Sequence, residues 1–255
     1  MILAIDVGNS STILGTIDNG EIGTIVRIHT ELNNTAAEYG IKLRQLFDYY
    51  SIDVGGFEGA IISSVVPPVT DAICTAVAHL TGLACMVVGP GMKTGMNVRI
   101  EDPGSLAGSL VVGSVAAIAY YGCPVIILDF STATTMTVVD EKACYRGGAI
   151  IPGVRLGLQA LSAGTSLLPD ISVAKPRRVI ATNTVDAMRS GAVYATASMI
   201  DGMLERMEKE LGCRCRVVAT GGLAQTIIPY CSREIVCDDN LLLKGLWVLY
   251  EKNRK

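Results

Sequence analysis

Ile5-Asp6-Val7-Gly8-Asn9-Ser10-Ser11-Thr12, near the start of the chain, has a counterpart near its middle in Leu128-Asp129-Phe130-Ser131-Thr132-Ala133-Thr134-Thr135. Each phrase ends an apolar strand with an aspartate and continues through a small, hydroxyl-rich turn. Each then enters a second apolar stretch, residues 13–17 or 136–139, closed by another aspartate, Asp18 or Asp140. Small residues let backbone N–H groups approach phosphate oxygens, and an aspartate at a strand end can hold a cation or a metal-bound water. A single turn of this kind reads equally well as an ordinary hairpin. Its recurrence at matching places points to two half-sites facing one polyphosphate.

The 255 residues suit two similar halves of about 125 each. Half the residues are hydrophobic and 18% are charged, so a substantial core can form. Mean hydropathy is +0.43, yet apolar runs such as 111–121 and 125–128 are bounded by Gly, Pro or Asp and fall well short of the ~20 residues of a spanning helix. Met1 runs straight into the first strand with no charged leader, so a cytoplasmic protein is expected. Eight cysteines contain no C-x-x-C pair, and Cys213-x-Cys215 has no His nearby, which argues against a zinc site or a disulfide framework. A net charge of −3 and only one short basic run, Lys175-Pro176-Arg177-Arg178, argue against a nucleic-acid partner.

Along the chain, strand and helix patterns alternate, so the class is α/β. The first hairpin extends to Ile28, an amphipathic helix spans about 35–50, a buried strand 59–63, a helix 69–81 and a short strand 84–88. Residues 89–104 read as loop and 106–121 as a small-residue helix joining the halves. The second half brings the repeated hairpin from Val125, a glycine-rich stretch Gly147-Gly148-Ala149-Ile150-Ile151-Pro152-Gly153, and a helix from Val154 to about Ser162. A long helical region (184–211), a strand (217–220) and a closing helix (240–253) complete it. The domains are expected at 1–122 and 123–255.

Asp6-Val7-Gly8-Asn9, Asp129-Phe130-Ser131-Thr132-Ala133-Thr134-Thr135 and Ala219-Thr220-Gly221-Gly222-Leu223 resemble the two phosphate motifs and the adenosine motif of the actin/hexokinase/Hsp70 superfamily. Ser63-Ser64-Val65-Val66-Pro67, Gly91-Met92-Lys93-Thr94-Gly95, the glycine-rich stretch from Gly147 to Val154, Asn183-Thr184 and Met188-Arg189-Ser190-Gly191 narrow the likeness to type III pantothenate kinases. The resemblance implies two duplicated ribonuclease H-like halves with a nucleotide cleft between them. It also implies ATP-dependent phosphorylation of pantothenate, or of a related small alcohol, at the first step of coenzyme A synthesis, and a homodimer with the substrate pocket at the subunit interface. Carried over by position, Asp6, Val7, Gly8, Asn9, Ser10, Ser11, Thr12 and Ile13 would cradle ATP phosphates, with Asp6 on the Mg²⁺ side. Asp129 would bind a monovalent cation, potassium or ammonium. Thr132, Gly221 and Gly222 would contact ATP, and Thr184 pantothenate.

The chain departs from that family between its two motifs. Where the family reads roughly Tyr-Asp-Asn-Pro-x-Glu-Val-Gly-Ala-Asp-Arg, this chain has Ile100-Glu101-Asp102-Pro103-Gly104-Ser105-Leu106-Ala107-Gly108-Ser109-Leu110. Ser109 therefore occupies the place of the family's general base. By the same resemblance Ala107, Gly108 and Leu110 would line the substrate side, with Leu110 in place of a substrate-holding Arg. A serine hydroxyl is no base near neutral pH without its own activator, and Leu110 cannot pair with a carboxylate. Two functions stay open: a kinase with a diverged substrate side, in which Glu101 or Asp102 takes over as base, and a non-catalytic nucleotide-binding paralogue.

Other residues read more simply. Thr132 could cap its own turn, Thr184 could be a helix N-cap ahead of Asp186, and Gly221-Gly222 could be a strand-to-helix turn. His29 and His79 have no companions that suggest a site. The cysteines read as core fillers, and Met199, Met203 and Met207 as one helix face, for packing or for dimerisation.

Overall fold

The computed structural model describes residues 1–254. β1 (Ile2–Val7) pairs antiparallel with β2 (Ser11–Asp18), and β2 with β3 (Glu21–His29). The β2–β3 turn is Asn19-Gly20, with φ of 49° and 88°, the left-handed pair that matches the twist of a two-residue hairpin. α1 (Ala36–Tyr49) starts at Thr35, whose hydroxyl accepts from the Glu38 N–H while the Glu38 carboxylate accepts from the Thr35 N–H. This reciprocal cap satisfies two otherwise unpaired donors.

β4 (Gly59–Ser64) lies parallel to β1, and α2 (Pro67–Thr81) follows it directly. The expected start at Val69 was two residues late. Pro67 and Pro68 sit inside the first turn, where a missing N–H removes no helical bond. β5 (Cys85–Val87) runs parallel to β4. The stretch expected to be loop contains β6 (Asn97–Val98), too short to show a pattern, and α3 (Gly108–Tyr121) comes next.

The second half repeats the first. β7 (Val125–Phe130), β8 (Ala133–Val139) and β9 (Cys144–Pro152) form an antiparallel meander, followed by α4 (Val154–Gly164). The expected long helix is α5 (Thr184–Ser190), a π-helical turn at Gly191–Ala195, and α6 (Thr196–Leu211) in continuous succession. β10 (Arg216–Thr220) lies parallel to β7, the single turn α7 (Ala224–Ile227) follows, β11 (Val236–Cys237) lies parallel to β10, and α8 (Leu241–Asn253) ends the fold.

The strand orders show the duplication. One sheet runs β3-β2-β1-β4-β5; the other runs β11-β10-β7-β8-β9-β6, the same order and the same parallel and antiparallel senses with β6 added beside β9. Asp6 pairs with Ser63 across β1–β4, and Asp129 pairs with Thr220 across β7–β10. The two aspartates therefore occupy equivalent positions in equivalent strands.

The first sheet is buried on both faces. Leu3, Ile5 and Val7 pack with Tyr39, Leu43 and Phe47 of α1 and Ile73 and Val77 of α2. The alternate residues Ile2 and Ala4 pack with Val112 and Val115 of α3 and Leu243, Leu246 and Leu249 of α8. This is the period of two that a strand imposes, with both sides apolar. In the second sheet Ile126, Leu128 and Phe130 pack with Val193, Ala197, Ile200 and Leu204. Met199, Met203 and Met207 pack against that same core.

The chain divides into two compact units. The first comprises 1–96, 101–119 and 240–255, and the second 97–100 and 120–239. The sequence reading placed the last helix in the second half. In the structure Leu243, Leu246 and Leu249 of α8 are each at most 2% exposed against the first sheet, and each such burial is worth about 1.5–3 kcal/mol. Among the described residues no helix is long and apolar enough to cross a membrane.

Candidate functional site

In the first unit, Asp6 closes β1 and is 7% exposed. The turn after it is fixed from inside. The Gly8 N–H donates to the Ser11 carbonyl at 3.0 Å, the Thr30 hydroxyl donates to the Gly8 carbonyl at 2.7 Å, and the Thr12 and Thr30 hydroxyls lie 2.9 Å apart. Asn9 and Ser10 are left exposed at the tip, Ser11 and Ile13 are half-buried, and Val7 and Thr12 are buried. The expected cradle thus separates into an exposed tip and a buried brace, Thr12–Thr30, which sequence reading did not find because Thr30 lies past the end of β3, 22 residues from Gly8.

The residues expected on the substrate side stand at the start of α3, near β4. Ala107, Gly108, Ser109 and Leu110 are half-buried at the start of the helix, where the Ala107 carbonyl accepts from the Leu110 and Val111 N–H groups at 3.0 and 3.3 Å. A Cβ at Gly108 would stand 3.2 Å from the Ser63 hydroxyl, and Ser63 is the strand neighbour of Asp6. Asp6, Ser63 and the first turn of α3 are therefore gathered in one place. Ser63 is fully buried and its hydroxyl has no hydrogen-bond partner among the described residues. Its role was missed because a serine inside an apolar strand gives no chemical signal in sequence. Glu101 and Asp102 are exposed, and Asp102 is committed to the chain itself: its carboxylate accepts from the Gly104 N–H at 3.1 Å, capping a short 3₁₀ turn.

In the second unit, Asp129 is half-buried at the end of β7, and Ser131 and Thr132 are exposed in the turn. The Ser131 N–H and hydroxyl both donate to the Ala133 carbonyl, at 3.2 and 3.1 Å. Two glycines close on this turn. Gly153 lies so near the Thr132 carbonyl that a Cβ would overlap it, and a Cβ on Gly221 would lie 2.6 Å from the Phe130 carbonyl oxygen and 2.7 Å from the Asp129 carboxylate. Gly221 also has φ of +93°, a left-handed conformation that glycine adopts without strain. Gly222 is exposed with open space around it. Asp129, Thr132, Gly153 and Gly221 are thus brought together in a cradle that only glycines permit, and Gly153 was read in sequence merely as close packing.

Thr184 stands apart from this cluster in what the structure gives. It is exposed at the first position of α5, and the cap is its neighbour: the Asn183 side chain accepts from the Asp186 N–H at 2.9 Å. Elsewhere in the second unit, the Tyr121 hydroxyl donates to the buried Asp238 carboxylate at 2.7 Å. Burial, reinforced by that carboxylate, pushes the Tyr121 phenol up to about 12.

Comparison with known proteins shows the family. The family model described as type III pantothenate kinase matches residues 2–206. The chain is 41% identical to the type III pantothenate kinase of Syntrophobacter fumaroxidans over 256 residues, covering 100% of this chain and 99% of that one. It is also 41% identical to that of Halalkalibacterium halodurans, covering 99% and 100%. Among solved structures, the inorganic polyphosphate/ATP-glucomannokinase of Arthrobacter sp. strain KM shares the fold, with a TM-score of 0.52 and 13% identity over 97% of this chain and 96% of that one. The architecture is accordingly that of the actin-like kinases, two duplicated ribonuclease H-like halves, and the chain belongs to the type III pantothenate kinase family.

Proposed function

We propose that the chain binds ATP through the Asp6 and Asp129 turns, and that it phosphorylates pantothenate, or a related small alcohol, much more slowly than the family's Asp-Arg pattern allows. The observation that carries this reading is the first turn of α3, where Gly108, directly before Ser109 and Leu110, lies against Ser63, the strand neighbour of Asp6. Neither the Ser109 nor the Leu110 side chain can take a proton from an alcohol or pair with a carboxylate. Loss of a general base costs about 10²–10⁴ in rate, and loss of a charged substrate contact roughly 2–5 kcal/mol. Positioning and electrostatics supply most of phosphoryl-transfer catalysis, so slow turnover can persist.

The residues fit the ions that such a reaction uses. Among the described residues no three or more His, Cys, Asp or Glu side chains cluster to form a cage. Mg²⁺ is held by one or two carboxylates, waters and the nucleotide's own phosphates, with no such cage. Asp6, buried at its strand end, would supply that carboxylate. Asp129, with room kept open by Gly221, would hold potassium or ammonium. These cations neutralise charge on the phosphates when bound. The exposed Leu156, Leu161, Leu167 and Ile180 on and beyond α4 support a homodimer, in which burial of apolar surface drives association.

A second reading, a nucleotide-binding paralogue with a regulatory role, draws support from Asp102, whose carboxylate is occupied by the Gly104 N–H, and from the exposure of Glu101. The deciding test is detection of phosphopantothenate by mass spectrometry after incubation with ATP, Mg²⁺, K⁺ and pantothenate, with Asp6→Asn as blank. Product above the blank upholds the slow kinase. No product while ATP still binds upholds the paralogue, and no ATP binding overturns both.

A further inference from the structure

The side chains of the first sheet sort onto two faces. Leu3, Ile5 and Val7 of β1 and Ala60 and Ile62 of β4 pack towards α1 and α2, whereas Ile2 and Ala4 of β1 and Ile61 of β4 pack towards α3 and α8. The period of two carries this alternation one step further, so Asp6 and Ser63 both point to the α3 side. They are also partners in register across the parallel β1–β4 pair, which sets their backbones one strand spacing, about 4.8 Å, apart. On the other flank of Ser63, one step past the Ile62–Val87 pair, comes the buried Val88. Gly108 covers the serine from α3 with only a hydrogen where a Cβ would stand 3.2 Å from the hydroxyl. Ser63 therefore lies between an apolar wall and a carboxylate.

A hydroxyl is both a donor and an acceptor, and burying it with neither used costs free energy that an alanine would not. Ser63 is 0% exposed, and its hydroxyl has no hydrogen-bond partner among the described residues. The next residue is different: the Ser64 hydroxyl accepts from the Val66 N–H at 3.0 Å, a local turn bond. A polar group kept at such a cost beside a carboxylate at a strand end has a use when its partner arrives with a ligand. Mg²⁺ held by one or two carboxylates keeps several of its waters, and each is a hydrogen-bond donor.

We propose that Ser63 is a positioning residue for the Mg²⁺ that accompanies ATP, its hydroxyl accepting a hydrogen bond from a water on the ion that Asp6 carries. The inference rests on the assignment of Mg²⁺ to Asp6 made above. Contacts of this outer kind orient the ligands of a metal, and their loss lowers metal affinity by about 10–100-fold. The first sheet thus supplies the ion with two neighbouring groups from two strands, one charged and one neutral.

The test measures ATP binding to the full-length protein by calorimetry, once in excess MgCl₂ and once in EDTA; the ratio of the two affinities is what the ion adds. The expected result is a gain with Mg²⁺ in the parent that Asp6→Asn abolishes. Ser63→Ala should reduce the gain by about tenfold or more and leave the affinity in EDTA unchanged. Ligand-free Ser63→Ala should melt no lower than the parent, since it loses only a hydroxyl without a partner. Ser114→Ala is the control: its hydroxyl is also buried without a partner among the described residues, but it lies on α3 about 9 Å along the helix beyond Gly108, and the gain should persist. If Asp6→Asn removes the gain while Ser63→Ala keeps it, or lowers affinity equally in MgCl₂ and EDTA, the role of Ser63 is overturned and the assignment of Asp6 stands. A Ser63→Ala protein that does not fold by circular dichroism, or a Ser114→Ala protein that loses as much of the gain, overturns it as well. A gain that survives Asp6→Asn, or is absent from the parent, overturns the assignment of Asp6 and this inference with it.

Discussion

Gly221→Ala tests the cradle around Asp129 most directly. Its Cβ would fall 2.6 Å from the Phe130 carbonyl oxygen and 2.7 Å from the Asp129 carboxylate, and the first of these is backbone that cannot swing aside. The left-handed φ of +93° adds about 1–2 kcal/mol for any residue with a Cβ, and forcing a methyl into a packed site adds about 1–3 kcal/mol. The two together predict a loss of about 2–5 kcal/mol, a large share of the 5–15 kcal/mol typical of a domain. Because the displaced groups are Asp129 and its neighbour, ATP affinity should fall about tenfold or more, equivalent to about 1.4 kcal/mol. Gly222→Ala is the matched control: no atom lies within 4 Å of its Cβ, so stability should change by less than about 0.5 kcal/mol. Urea denaturation and ATP titration by calorimetry measure both effects. If Gly221→Ala proved as stable as Gly222→Ala and bound ATP like the parent, the cradle would not have the form described.

The remaining predictions concern other parts of the molecule. Restoring the family pair with Ser109→Asp and Leu110→Arg should raise phosphopantothenate formation by about 10²–10⁴, read by the same mass-spectrometric assay; no gain would mean that more than the base is missing. Thr30→Val removes the hydroxyl that holds the Gly8 carbonyl and Thr12, and should cost about 1–3 kcal/mol in denaturation and weaken ATP binding. Tyr121→Phe deprives the buried Asp238 carboxylate of a 2.7 Å donor and should cost about 1.5–3 kcal/mol in urea denaturation. Burial pushes the Glu208 carboxyl up, but Arg233, the Cys215 N–H and Arg214 outweigh it and hold the group below its usual value. Its contribution to stability is therefore present above the ordinary carboxylate range and lost as pH falls below it, so Glu208→Gln should flatten the acid side of a melting-temperature profile.

The duplication was legible because each half writes the same chemistry in a continuous stretch: apolar strand, aspartate, small turn. The strand order in each sheet then follows from where hairpins and parallel crossovers are possible. What sequence concealed depends on contacts between distant segments. Thr30 braces the first turn from the end of β3, Ser63 faces Gly108 from another strand, and Gly153 closes on Thr132 from the end of β9. The last helix was assigned to the second half because it follows that half in the chain; its Leu243, Leu246 and Leu249 face the first sheet, and nothing in its own periodicity says which sheet covers them. Asn183 rather than Thr184 caps α5, a one-residue distinction that residue preference alone does not make.

The structure also shows why the fold does not depend on the residues at positions 109 and 110. The position of α3 is set one turn beyond Ser109 and Leu110: Val112, Val115, Ala116 and Ala117 are at most 2% exposed. Gly245 of α8 approaches the Val112 backbone so closely that a Cβ there would overlap its carbonyl. The first turn, carrying Ala107 to Leu110, is only half-buried and contributes little to that packing. Substitutions in it therefore leave the helix, the sheet and the turn at Asp6 where they are. Selection on stability would not resist exchange of an Asp-Arg pair for Ser-Leu there; only selection on the reaction would. The backbone that would present a base starts at Gly108 beside Ser63, which is why two substitutions, and no rebuilding of the site, are the appropriate test of the proposed slow turnover.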